Sequence, residues 1–298
     1  MRTLKAGRGK SARGRLFKMP SKFIEKYLKA KKEKNSVLCV GLDPGLRSFR
    51  KEDVVPSKYE RKDIEAGLLD FCLDVIEQTA DYACAIKPNS QYLLFTLGIK
   101  ELKKINQKAH KEGMVSIIDH KLGDIGSTND AAFYWMQEAG FDALTFSPFA
   151  GNIEEATKAA HKRNLGILVL TYMSNVEAGW IQKQSLFEWR PLYQKIAEEI
   201  KNFGSDGAIM GSTGHVTMDD IRMVRSLIGE QSLILFPGVG RQGGNMRAVI
   251  GAGGNNILIN VGRDLIYDKN PGKKAKEYQM EINQTIKDFH QELEKQKK

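Results

Sequence analysis

Lys87, Asp119, Lys121 and Asp124 are ionisable residues of types suited to proton transfer, and three of them crowd into one short stretch. That stretch is "IIDHKLGDIGST", residues 117–128, where an apolar run breaks abruptly into charge. Side chains alternate along a strand, so Asp119 and Lys121 are expected on one side and His120 on the other. His120 is therefore read as a hydrogen-bonded packing residue outside the site. Charges of alternating sign offset one another's desolvation. Such a network can keep both lysines protonated and both carboxylates ionised in a cleft that holds little water, although an inert ion-pair cluster has the same balance. A second group, "FPGVGRQGGN" (236–245) with "NVGRD" (260–264), suits an anion. Its glycines let backbone N–H groups approach closely, Arg263 can grip a phosphate with two parallel N–H bonds, and Gln242 adds an amide donor. Simple turn glycines are the plainer alternative.

Both groups need a scaffold that brings them to one rim. Eight short, β-branched or apolar runs recur along the chain: Val37–Leu42, Ala83–Lys87, Val115–Asp119, Ala143–Phe146, Gly166–Leu170, Gly207–Met210, Leu233–Phe236 and Asn256–Val261. Helix-like segments alternate with them, among them 59–80, 98–112, 152–163 and 190–203, and an amphipathic stretch closes the chain at 273–297. Near-continuous apolar strands alternating with helices predict a parallel sheet closed into a (β/α)8 TIM barrel, with an open doubly wound sheet as the fallback. In such a barrel chemistry sits at the C-terminal ends of the strands. Those ends carry Asp43, Lys87, Asp119 with Lys121, Thr171 with Ser174 just beyond, and Arg263.

Composition narrows the class further. The chain has 298 residues with 41% hydrophobic content and no apolar run near the ~18 residues of a membrane span. Its net charge of +10 suggests nucleic acid until it is located: residues 1–20 carry Arg2, Lys5, Arg8, Lys10, Arg13, Arg15 and Lys18 without one acidic residue, leaving about three charges for the rest. We read residues 1–20 as a disordered basic extension and 21–298 as one barrel domain. A targeting peptide, a start at Met19 and an RNA-binding arm are the other uses such a tail could have. Cys39, Cys72 and Cys84 lie far apart in apolar stretches, which predicts reduced core thiols and a cytoplasmic location.

The segment "DHKLGDIGST" matches D-x-K-x-x-D-I-x-x-T. With "GLDPG" (41–45), "AIKPN" (85–89), "TYMS" (171–174), "PGVGRQGG" (237–244) and "VGR" (261–263), it resembles the orotidine 5'-phosphate decarboxylase family, with the motifs in the family's order. The resemblance implies decarboxylation of orotidine 5'-phosphate to UMP, the last step of de novo pyrimidine synthesis, with no metal and no organic cofactor. It also implies roles. Asp43 binds ribose hydroxyls, Lys87 bridges ribose and tetrad, Asp119 faces the substrate carboxylate, and Lys121 protonates C6. Ser174 bonds the pyrimidine, while Gln242 and Arg263, with Gly262 beside them, hold the phosphate. Asp124, Ile125 and Thr128 reach into the partner's site, making the enzyme a homodimer with shared active sites.

Two alternatives differ in class. One is a Mg²⁺-dependent sugar-phosphate decarboxylase or aldolase of the same superfamily, which shares D-x-K-x-x-D; Ile125 and Thr128, with Gln242 and Arg263, argue against it. The other is a nucleic-acid-binding protein led by its basic arm, which the mild charge of the globular part disfavours. Two stretches depart from the compact form of the family, 44–60 and 172–190. The second carries Trp180, Phe187 and Trp189 and is read as a partly ordered lid, a dimer-facing insertion or ordinary packing. "GSTGH" (211–215) is a rim loop without an assigned role.

Overall fold

A computed structural model describes residues 20–60, 63–239 and 245–296. The expected basic tail thus lies outside the described residues, apart from Pro20. Eight parallel strands close into a barrel: β1 (Leu38–Leu42), β2 (Ala85–Pro88), β3 (Val115–Leu122), β4 (Ala143–Phe146), β5 (Gly166–Tyr172), β6 (Gly207–Met210), β7 (Leu233–Pro237) and β8 (Ile257–Val261). Each strand pairs with its neighbours in sequence, and β1 pairs with β8 to complete the ring. All eight predicted runs are strands, with boundaries shifted by a few residues at most sites. β1, β2, β4, β5, β6 and β8 are buried along their whole length, as a sheet covered on both faces requires.

A helix that the strand pattern did not announce closes the bottom of the barrel. Lys22–Lys34 starts at Ser21, whose hydroxyl caps the Ile24 N–H, and it buries Phe23, Ile24, Tyr27 and Ala30 against the strand residues of the barrel interior. The Tyr27 hydroxyl donates to the Ile257 carbonyl at 2.6 Å. Gly166 makes room for this plug, since a Cβ there would overlap the Phe23 ring.

Two carboxylates fasten the same end. Asp142 accepts the Ser116 N–H at 2.9 Å, meets His110 at 2.8 Å and takes Lys26 of the plug at 2.5 Å. Asp206 repeats the pattern two strands on, accepting the Ile167 N–H at 2.8 Å, meeting His161 at 2.8 Å and bonding Ser21. The three cysteines are free and buried, and burial pushes the Cys39 and Cys72 thiols up to about 12, so they are protonated packing groups at neutral pH.

The stretch after β5 is an ordered lobe. It contains a helix, Ala178–Gln182, and a two-stranded ribbon pairing Leu186–Phe187 with Arg190–Pro191. Trp180 and Trp189 remain 63% and 92% exposed. Among the described residues, no helix is long and apolar enough to cross a membrane.

Candidate active site

β2 and β3 bring three charged groups together at the C-terminal mouth. Lys87, only 4% exposed, ion-pairs with one oxygen of Asp119, and the Lys121 ammonium lies 2.6 Å from the other. Asp119 and Lys121 therefore do share a side, as alternation predicted. Burial opposes charge on Asp119, but Lys87 and Lys121 outweigh it and hold the carboxyl well below the usual carboxylate range. Burial likewise pushes Lys87 down, yet Asp119 and Asp43 prevail and raise it above an ordinary lysine. Asp119 and Lys87 are thus both charged at neutral pH. Lys121 is the accessible member, with a side chain 40% exposed toward solvent.

Lys121 has φ +55°, a left-handed conformation that costs a non-glycine residue about 1–3 kcal/mol. The β3–β4 register shifts between Ile118 and Leu122, and Thr145 of β4 supports the irregular segment. Its Oγ1 accepts the N–H of Lys121 at 2.8 Å and of His120 at 3.0 Å, and its own proton reaches Asp119 Oδ1 at 3.2 Å. A single buried hydroxyl thereby sets both the backbone under Lys121 and the carboxylate it pairs with. Thr145 was not singled out from the sequence; its only signal there is a polar residue inside the apolar run "ALTF". His120 turns the other way, to Ser90 Oγ at 3.0 Å, and burial with the nearby Lys121 lowers its pKa.

The remaining site residues divide by position. Asp43, after β1, accepts from Asn89 Nδ2 at 2.8 Å, and its carbonyl takes Arg50 at 2.9 Å and the Tyr267 hydroxyl at 3.0 Å. Asp43, Gly238, Gly262 and Arg263 surround one cavity of about 60 Å³. The backbone of Gly262 approaches this site closely, since a Cβ there would stand 3.0 Å from the Asp43 carboxylate. Ser174 sits in the loop after β5. The Thr171 hydroxyl, by contrast, is fully buried and bonds back to Val169, so it does not line the mouth. Gln242 lies outside the described residues.

Asp124, Ile125 and Thr128 are exposed on the segment leaving β3. Among the described residues, the Asp124 carboxylate takes the adjacent Ile125 N–H at 2.8 Å and makes no ion pair. Among the described residues the mouth of one chain thus holds the triad Lys87, Asp119 and Lys121, with Asp124 outside it, where the resemblance has it serve the partner's site. Among the described residues, no group of three or more His, Cys, Asp or Glu side chains is arranged to hold a metal ion.

The model of the orotidine 5'-phosphate decarboxylase / HUMPS family matches residues 36–278, which includes every strand of the barrel. The chain belongs to this family. The orotidine 5'-phosphate decarboxylase of Roseiflexus castenholzii is 34% identical over 258 residues, covering 82% of this chain and 89% of that protein. The structure of Leishmania donovani OMP decarboxylase superposes with a TM-score of 0.73 at 27% identity, covering 89% of this chain and 98% of that one. Leishmania donovani UMP synthase gives the same TM-score at 29% identity, but there this chain spans only 57% of the longer protein. A chain of this family thus brings Lys87, Asp119 and Lys121 together at the mouth of its barrel.

Proposed function

We propose that this protein decarboxylates orotidine 5'-phosphate to UMP, with Lys121 as the proton donor. The observation that carries the assignment is the Lys121 ammonium, held at the mouth by Asp119 and thus by the buried Lys87. Breaking the C6–carboxylate bond releases CO2 and leaves its electron pair on C6, where the ring delocalises it poorly. A fixed ammonium beside that carbon stabilises the growing charge and then transfers a proton to it, which completes UMP. Lys121 regains its proton from solvent after product leaves. Asp119, ionised and facing the departing carboxylate, keeps the ammonium in place.

Asp43 is assigned to the ribose hydroxyls, Ser174 to the pyrimidine, and Arg263, Gly262 and Gln242 to the phosphate. Asp124, Ile125 and Thr128 are assigned to the partner subunit's site in a cytoplasmic homodimer. Their exposure, and the lack of an ion pair for Asp124 among the described residues, support that placement. Loss of absorbance on adding orotidine 5'-phosphate in EDTA tests the assignment. Turnover is expected there; inactivity, with activity on a sugar phosphate restored by Mg²⁺, would reject it.

A further inference from the structure

We infer that the segment Gly211–His215 after β6 is a brace that fixes the base-side loop against the phosphate-side loop, with Thr213 and His215 as positioning residues for Ser174. It joins both sides through direct bonds. On the base side, the Thr213 hydroxyl donates to the Ser174 carbonyl at 2.7 Å. His215 Nε2 bonds the Met173 carbonyl at 3.1 Å, its Nδ1 lies 3.2 Å from Thr213 Oγ1, and its ring stands edge-on to Tyr172 at 5.5 Å. The Gly211 N–H donates to the Tyr172 carbonyl at 2.7 Å. Gly211 also lies so close that a Cβ would come within 2.7 Å of Ser174 Cα, so the two backbones are in contact.

On the phosphate side, Ser212 Oγ donates to the Pro237 carbonyl at 2.8 Å, and the Ser212 carbonyl accepts the Asn245 N–H at 3.1 Å. Pro237 and Asn245 flank the glycine-rich stretch, and Asn245 caps the helix Met246–Gly253 through Ala248 N–H at 2.9 Å. Gly211, Ser212, Thr213 and His215 thus bond carbonyls on both sides, Ser212 that of Pro237 and the other three those of 172–174. Beyond Ser174, Asn175, Val176 and Glu177 are all at the surface, and the other tie on the segment is local, the Met173 N–H donating to Gln182 Oε1 at 2.8 Å. Withdrawal of the Thr213 hydroxyl frees the Ser174 backbone without removing any group that touches substrate. Such a loss should appear in the rate with the substrate rather than in global stability.

The inference rests on the decarboxylase reading, because it is the base contact of Ser174 that the brace would serve. Thr213→Val, Thr213→Ser, Ser174→Ala and the Thr213→Val/Ser174→Ala double variant are assayed on orotidine 5'-phosphate. Thr213→Val should lower kcat/KM by about tenfold, whereas Thr213→Ser, which keeps the hydroxyl, should stay within about threefold of wild type. In the Ser174→Ala background the same Val substitution should cost less than about twofold, since a residue acting through Ser174 has nothing left to position. His215→Phe, which preserves the ring against Tyr172, should show the same non-additive loss and serves if Thr213→Val does not fold. Additive losses, failure of Thr213→Ser to restore activity, or a Ser174→Ala variant as active as wild type would each overturn the brace. A wild-type protein that does not turn over orotidine 5'-phosphate would instead overturn the decarboxylase reading, and the brace's role with it.

Discussion

Asp142 is a buried carboxylate at the bottom of the barrel and Asp119 a partly buried one at its mouth, and their partners differ in kind. Asp142 is satisfied within the chain: a backbone N–H, a histidine and the Lys26 ammonium occupy its oxygens, with a side chain only 2% exposed. Asp119 meets two ammonium groups instead, one buried and one 40% exposed, so these three groups carry a formal charge of +1, which Asp43 beside Lys87 partly offsets. Burial with complete pairing secures the fold. Burial with surplus charge keeps an ammonium available at the opening, which is a poor arrangement for stability and a useful one for stabilising a carbanion.

The sharpest way to break this contrast is to remove one lysine. Lys121→Ala should reduce turnover of orotidine 5'-phosphate by about 10⁴-fold or more, because it loses both a general acid and the charge that stabilises the transition state, while circular dichroism and the thermal midpoint stay close to wild type. Retention of a tenth of the activity would remove Lys121 from the proton-donor role. Arg263→Ala comes next. It should weaken kcat/KM by about 10²–10³-fold on the phosphorylated substrate and little on orotidine itself, so that a variant still strongly preferring the phosphate would show that Arg263 is not the main grip.

At the bottom of the barrel the effect should move from rate to stability. Asp142→Ala should cost about 2–3 kcal/mol in a urea melt and leave kcat nearly unchanged. Asp142 is held below its ordinary value, burial being outweighed by His110, Lys26 and the Ser116 N–H. Its contribution is therefore full above the unfolded aspartate value of about 3.9 and lost as pH falls below it through the folded value, so wild type should weaken below about pH 4 more steeply than Asp142→Ala. An unchanged acid limb would remove Asp142 from that role. The smallest effect should fall on the exposed lobe: Trp189→Ala should shift stability by less than about 0.5 kcal/mol, since the ring is 92% exposed.

The barrel was legible because its eight strands are short, mostly apolar and alternate with helix-like segments; strand alternation put Asp119 and Lys121 on one side, but the left-handed backbone at Lys121 that completes their pairing is not part of that pattern. The plug helix was less so. "KFIEKYLKAKKEK" looks charged, and only Phe23, Ile24, Tyr27 and Ala30, spaced along one helical face, betray a buried side. Thr145 was not legible as a support, because its role depends on a register shift and a positive φ at Lys121 that no local pattern encodes. The brace at 211–215 is invisible for a related reason. Its bonds go to main-chain carbonyls of distant loops, which have no residue-type signature.

The central claim is that the mouth cluster, unlike the bottom one, is completed by a second chain, and subunit exchange tests it most directly. Lys121→Ala and Asp124→Asn proteins are prepared separately, each expected to be nearly inactive, and then mixed until subunits have exchanged. Random pairing makes about half of the dimers mixed, and one of the two sites in each mixed dimer joins an intact Lys121 to an intact Asp124 from the other chain. Activity should rise to about a quarter of wild type. If exchange is demonstrated and no activity returns, Asp124 does not complete a partner's site, and the shared tetrad is wrong.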